Sequence, residues 1–256
     1  MPYGNPAYMW DHLGASIGAA AISTKYATAA GFGKERLIDY QGARLMKFAG
    51  SQADHDIEFD LNAFEGPIYD RVVIPNGHNL STKTIRVYAG DTSPAATEIG
   101  SVVATAGWID LAVTLSTNRY VRVLIDATGT WELGELWIGR RYQTETGIAR
   151  DWQEPLRTPS VEIEFPSREA VMLLAAPRRR YLIEHQGLSD ASGDEFIYRE
   201  LSVRARATPI LFWTPRASPS VLIARLEEDA EKTQDHPQPA SALSWTYGLH
   251  LREQAL

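Results

Sequence analysis

A handful of short stretches in this chain hold residue types that can do chemistry. Gly14-Ala15-Ser16-Ile17-Gly18 matches G-x-S-x-G. That pattern sets a nucleophilic serine on a tight strand-to-helix turn of a hydrolase, with an acid and a histidine supplied later in the chain. Trp10–Leu13 lacks the pattern of a strand and no β/α alternation follows, so a loop of small residues is expected. A serine hydrolase acting through Ser16 stands behind the other readings. Asp54-His55-Asp56 offers the carboxylates and imidazole that divalent cations take. Neighbouring side chains of an extended segment point to opposite faces, so the triplet cannot close on one ion unaided. Asp54 and Asp56 are the candidate metal ligands. His78 has no second titratable group near it in sequence, which argues against catalysis. Trp108, Trp131 and Trp137 carry indole faces that suit the apolar C–H face of a pyranose. Trp137 sits between Leu136 and Ile138, so it or its neighbours face a core. Trp131 follows Gly129-Thr130 in a turn and is the better exposed candidate, with Trp108 beside it as a second, although most tryptophans serve a core or an interface. Arg178-Arg179-Arg180 reads either as a solvated turn or as a basic run facing the acidic stretch Glu227–Asp235 of another copy. No glycine loop fit for phosphate and no carboxylate pair of telling spacing stands out.

Composition removes whole classes of chemistry. The 256 residues include no cysteine, which excludes disulfides, a thiolate nucleophile and Cys-based metal centres. A formal net charge of −7 argues against nucleic acid as the main partner. The hydrophobic fraction of 44% is that of a globular protein with a real core. The longest apolar runs, such as Val171–Ala176, fall far short of the ~20 residues of a membrane helix. The opening MPYGNPAYMWDHLG has no basic stretch followed by an apolar one, so no signal peptide is expected.

The elements that must position these residues are mostly strands. Ile57–Leu61, Tyr69–Ile74, Thr84–Tyr88, Ser101–Thr105, Asp110–Leu115, Tyr120–Asp126 and Glu132–Ile138 are apolar or alternating runs separated by turn residues. Short strands at roughly 8–12-residue spacing, without helices between, predict a β-sandwich. After a connector at residues 141–160 a second β-rich segment follows. Its strands are Val161–Phe165, Val171–Ala176, Arg179–Glu184, Pro209–Trp213, Val221–Leu226 and Ala242–Arg252. Asp190–Ala205 is the one helix expected, capped by Ser189 or Asp190, with Ile197, Leu201 and Ala205 on one face. The fold class is therefore mainly β: a jelly-roll-like sandwich at residues 1–140 and a smaller β-rich domain with one helix at residues 161–256.

The first half resembles the galactose-binding-like, or discoidin-type, sandwich. IEFDL, YDRVVI, HNLS, TIRVY, YVRVLI and ELWIG carry that resemblance, at Ile57–Leu61, Tyr69–Ile74, His78–Ser81, Thr84–Tyr88, Tyr120–Ile125 and Glu135–Gly139. The second half is similar to bacteriophage tail-tip proteins of the distal-tail or minor-tail kind, through Pro209–Trp213 (PILFW), the helix before it and SWTYGLHLRE at Ser244–Glu253. The resemblance implies a non-enzymatic virion protein, assembled in the host cytoplasm and located in the tail tip or baseplate. It implies a ring of itself, hexameric or trimeric, docked on tail tube and hub. Arg178, Arg179, Arg180, Trp245 and Tyr247 would lie at its contacts, with the long final strand as an interface element. It also implies a peripheral sandwich that contacts host-surface glycans through Trp131 and Trp108, His78 as a shaper of the loop corner, and at most a structural calcium ion as cofactor. A carbohydrate-binding adhesion protein is the alternative.

Overall fold

A computed structural model of the protein describes residues 5–41, 44–62, 64, 66–145, 156–157, 160–164, 170–174, 178–189, 193–215, 221–226, 231–234 and 244–253. The chain forms two compact units. Asp11–Arg141 is one; Met1–Trp10 and Tyr142–Ala255 together make the other. No helix among the described residues is long and apolar enough to cross a membrane.

Strand β1 (Ala7–Met9) opens the chain. In Asp11–Arg141 there follow a one-turn helix α1 (Leu13–Ile17), β2 (Ile22–Thr24), β3 (Met46–Lys47), β4 (His55–Asp60), β5 (Tyr69–Ile74), β6 (Thr84–Gly90), β7 (Thr97–Val103), β8 (Ile109–Ser116), β9 (Tyr120–Asp126), β10 (Glu132–Leu133) and β11 (Trp137–Gly139). An antiparallel five-stranded sheet runs β2-β4-β9-β6-β7, a three-stranded one β11-β5-β8, and β10 pairs with β3. Period-two alternation builds this sandwich. In the five-stranded sheet Ile57 lies opposite Val123, which lies opposite Val87. That row is buried together with Val72, Ile74, Ile109 and Leu111 of the three-stranded sheet. One residue along, the same register sets Ser23, Glu58, Arg122 and Tyr88 side by side on the opposite face. The run Glu132–Ile138, which reads as one strand, is two short strands that pair with different partners, β10 with β3 and β11 with β5.

The other unit carries β12 (Tyr142–Gln143), β13 (Leu156–Arg157), β14 (Ser160–Glu164), β15 (Ala170–Leu174), β16 (Arg178–Ser189), α2 (Gly193–Ala207), β17 (Ile210–Trp213), β18 (Val221–Leu226), β19 (Glu231–Gln234) and β20 (Ser244–Glu253). Its main antiparallel sheet runs β12-β1-β17-β18-β20-β16-β13, with β19 also paired to β20; β14 and β15 pair with each other. On one face of α2, Ile197, Tyr198, Leu201 and Ala205 are buried with Tyr8, Tyr181, Phe212, Leu222 and Leu251. This is the face the i, i+4, i+8 spacing predicts. Three features depart from the sequence reading. Ala7–Met9 is fully buried and paired between β12 and β17, so it belongs with this sheet and not with the sandwich. Two strands, β12 and β13, lie inside the expected connector. β19 lies inside the expected acidic loop, where the pattern of charged residues hides its pairing with Trp245–Gly248.

Candidate functional site

One end of the sandwich is built by a turn that clamps two loops. After β5 the chain turns at Asn76-Gly77, where Gly77 takes a φ of 102°, a conformation that favours glycine. His78 Nδ1 accepts the Leu80 N–H at 3.2 Å, which assigns the tautomer in which Nε2–H donates to the Gly107 carbonyl at 2.8 Å. Burial pushes the His78 imidazole below its ordinary pKa, which keeps it neutral and able to accept. Asn79 holds the second loop. Its Nδ2 donates to the Thr130 carbonyl at 3.0 Å, and its Oδ1 accepts the Glu132 N–H at 2.8 Å. Thr82 N–H donates to the Ala104 carbonyl at 2.8 Å from a left-handed φ of 69°, a strained conformation for a β-branched residue.

These clamps fix the surroundings of two tryptophans. Trp108 is half-buried in the loop before β8. The exposed Asn76 amide stands beside Gly107, its oxygen 3.7 Å from where a methyl on Gly107 would lie. Trp131, expected to be exposed, is 6% exposed and belongs to the core. Its Nε1 donates to the Ala127 carbonyl at 3.2 Å, and a methyl on Gly129 would stand 2.6 Å from its ring. The turn residues before it therefore tuck the indole inward, because only glycine leaves room for it.

A second concave place lies on the outer face of the five-stranded sheet. Ser23, Thr24, Lys25, Asp56, Glu58, Ser93, Pro94 and Arg122 line an open cleft of about 190 Å³. Glu58 is fixed by the Ser93 hydroxyl at 2.5 Å and the Ala95 N–H at 2.8 Å. Arg122 Nη1 donates to Asp56 Oδ2 at 3.2 Å, and the guanidinium lies 4.4 Å from the Tyr88 ring centroid. Asp56 Oδ1 and Arg122 Nε have no hydrogen-bond partner among the described residues. At the rim Lys25 pairs with Asp54 at 2.6 Å. The two candidate metal ligands are thus each matched with a cation, while His55 between them is buried on the inner face against Phe48. Among the described residues no group of three or more His, Asp or Glu side chains converges as a metal site.

Beneath α1 lies a third cluster, fully buried. His12 caps α1 by accepting the Ala15 N–H at 3.4 Å, and its ring stacks on Trp137 with centroids 4.6 Å apart. Trp137 Nε1 donates to Glu135 Oε2 at 2.6 Å, and Glu135 Oε1 has no hydrogen-bond partner among the described residues. Burial pushes Glu135 up to about 7 and His12 down to about 3. Ser16 lies within α1, and its hydroxyl donates to the His12 carbonyl at 3.3 Å. It is therefore not at the strand-to-helix turn that a nucleophile elbow requires.

Arg178, Arg179 and Arg180 fall in β16 and Trp245 and Tyr247 in β20, and their side chains lie outside the described residues. The final strand is paired with β16 on one side and with β18 and β19 on the other over most of its length. It offers no free main-chain edge there. Sequence reading missed Glu58, Arg122 and Ser93. Glu58 and Arg122 are the polar half of alternating strands, but only the register shows that they meet.

No family model and no curated protein matches the chain. Among solved structures it is similar to chitosan-binding module 1 from a chitosanase/glucanase of Paenibacillus sp. IK-5, with 19% identity, 46% of this chain and 92% of that one covered, and a TM-score of 0.40. It is also similar to CBM32-3 from a family 31 glycoside hydrolase of Clostridium perfringens, with 15% identity, coverage of 47% and 91%, and a TM-score of 0.36. A third likeness is to the CBM32 of AlyQ in complex with 4,5-unsaturated mannuronic acid, with 21% identity, coverage of 46% and 92%, and a TM-score of 0.37.

Proposed function

We propose that this chain is a non-catalytic carbohydrate-binding protein whose sandwich contacts a glycan at the loop end carrying Trp108. One observation carries the reading: the half-buried Trp108 follows Gly107, whose carbonyl His78 holds and beside which the exposed Asn76 amide stands, while Asn79 holds the neighbouring loop. An indole face takes the apolar C–H side of a pyranose, and an amide, with one acceptor and two donors, serves its hydroxyls. Clamping the loops beforehand lowers the ordering cost of binding. Presented to a glycan array, the full chain is expected to bind, and Trp108→Ala is expected to weaken the best ligand at least tenfold, about 1.4 kcal/mol. A chain that binds no glycan, or a variant that binds as tightly as the parent, overturns the reading.

A second reading attaches to the other unit, whose eight-stranded sheet and helix glycan binding does not use. There the chain would be a ring-forming structural subunit of a phage tail tip, docked on tail tube and hub. Native mass spectrometry with those partners is expected to give a hexameric or trimeric ring. A chain that stays monomeric in their presence overturns it.

A further inference from the structure

We infer that Asn76 is a self-modifying residue: the Gly77 backbone nitrogen displaces its side-chain amide, and a carboxylate is left beside Gly107. The chemistry needs no partner other than water. The Gly77 N–H gives its proton to a base, and the nitrogen adds to Asn76 Cγ. The Cγ–Nδ2 bond breaks, and Nδ2 takes up a proton and leaves as ammonia. Water then opens the five-membered imide at either carbonyl. One opening gives aspartate. The other gives isoaspartate, whose main chain runs through Cγ and is one carbon longer. Nothing is oxidised or reduced.

The surroundings of the five asparagines single out this one. Asn5 is followed by Pro6, which has no N–H, and its Nδ2 donates to the Glu145 carbonyl at 2.9 Å. Asn79 has both ends of its amide engaged, and the Leu80 N–H after it donates to His78 Nδ1. Asn118 accepts the Ser116 hydroxyl at 2.8 Å, and the Arg119 N–H after it donates to Asp91 at 3.3 Å. Asn62 precedes an alanine, and a β-carbon on the attacking residue hinders ring closure. Asn76 and Gly77 are both exposed. Among the described residues neither the Asn76 amide nor the Gly77 N–H has a hydrogen-bond partner. Gly77 has no β-carbon, and its φ of 102° lies where glycine moves without strain. The holds on this turn are at its flanks, where Pro75 is buried and His78 is bonded to Leu80 and Gly107. Residues 76 and 77 can therefore rotate toward the ring without breaking either hold.

What the change does to binding rests on the carbohydrate reading. The Asn76 oxygen lies 3.7 Å from where a methyl on Gly107 would stand, so the new charge sits next to the residue before Trp108. A carboxylate only accepts, where the amide also offered two donors to sugar hydroxyls. The isoaspartate product also lengthens the chain that sets His78 on the Gly107 carbonyl. The loop end thus loses its glycan as the protein ages, and the loss is one-way.

The test holds the full chain at 37 °C at pH 6 and at pH 8, with near-ultraviolet circular dichroism confirming that it stays folded. Tandem mass spectrometry of the tryptic peptide Val72–Lys83, which carries both Asn76 and Asn79, reads the mass gain of each amide that becomes an acid, against a zero-time sample. The same peptide free in solution sets the unhindered rate. In the folded chain Asn76 is expected to convert at least tenfold faster than Asn79, faster at pH 8 than at pH 6, and within about tenfold of the free peptide. Asn76→Gln, whose longer side chain cannot close the five-membered ring, is expected to stay unconverted. Aged parent and Asn76→Asp, a stable copy of one product, are each expected to bind the best glycan of the fresh parent at least tenfold more weakly. Conversion no faster than at Asn79, a folded rate more than tenfold below that of the peptide, or undiminished glycan binding after conversion overturns the inference. A fresh parent that binds no glycan sinks the carbohydrate reading instead, and the mass measurements then decide the modification site by themselves.

Discussion

Replacing Glu135 by glutamine is expected to raise the stability of the protein at pH 8 by about 3 kcal/mol relative to the same comparison at pH 4. Glu135 is fully buried, with the Trp137 indole N–H on one oxygen and no hydrogen-bond partner among the described residues for the other. Burial is the main force on its carboxyl. The indole bond opposes it by favouring the charged form, and the nearby Asp39 adds to it. The outcome is a folded-state pKa of about 7 against an ordinary 4.5. The folded chain therefore holds its proton more tightly than the unfolded one. Below pH 4.5 the group is protonated in both states and has no effect. Between 4.5 and 7 the unfolded chain has let its proton go while the folded chain keeps it, and stability falls as pH rises. Above 7 the loss is complete and constant. Glutamine keeps an acceptor for Trp137 and cannot ionise. Urea midpoints at several pH values from 4 to 8 read the effect. Curves for parent and variant that run parallel across that range would count against a neutral, proton-holding Glu135.

Much of the sandwich was legible in the chain because period two is written plainly there. Tyr69–Ile74, Tyr120–Asp126 and Val221–Leu226 are strands with the bounds the sequence suggests. Helix α2 buries the face that Ile197, Leu201 and Ala205 mark. What could not be read depends on partners distant in sequence. Ala7–Met9 falls within the stretch read as the sandwich, and only its pairing with Trp213, Phe212 and Leu211 on one side and with Gln143 and Tyr142 on the other makes it a strand of the other sheet. Trp131 looked exposed because it follows a turn, but the space left by Gly129 lets the ring fold into the core. The cleft was invisible for the same reason. Glu58 and Arg122 are each an ordinary polar residue in an amphipathic strand, and the Ser93 that fixes Glu58 sits 35 positions away. His78 could be placed at the loop corner on resemblance alone; its two ring bonds, to Leu80 and Gly107, give that placement a physical cause.

The larger pH effect belongs to His12, and it acts in the opposite direction. Its ring is 1% exposed, stacked on Trp137 and edge-on to Tyr40. Burial lowers its pKa from 6.5 to about 3, opposed only by the backbone of Leu37. A protonated ring would lose the Nδ1 acceptor that caps α1 and would set an uncompensated charge in the core. The folded chain here binds the proton more weakly than the unfolded one, so stability is whole above pH 6.5 and drains as pH falls toward 3. The full loss is about 5 kcal/mol, comparable to the entire margin of many domains. Between 4.5 and 6.5 the two buried groups cancel, since each unit of acid costs at His12 what it returns at Glu135. The parent is therefore expected to hold a flat stability across that window and to unfold cooperatively below it. His12→Phe keeps an aromatic ring on Trp137 and cannot titrate, at a constant cost of about 1 kcal/mol for the lost cap. Near-ultraviolet circular dichroism from pH 6.5 to 3 is expected to show the parent losing its aromatic signal in acid while the variant keeps it to a lower pH. Adding Glu135→Gln to the parent removes the compensation, so the acid descent should then start near 6.5 instead of 4.5. Acid midpoints that coincide in all three proteins would mean that neither buried group governs the acid stability of the sandwich.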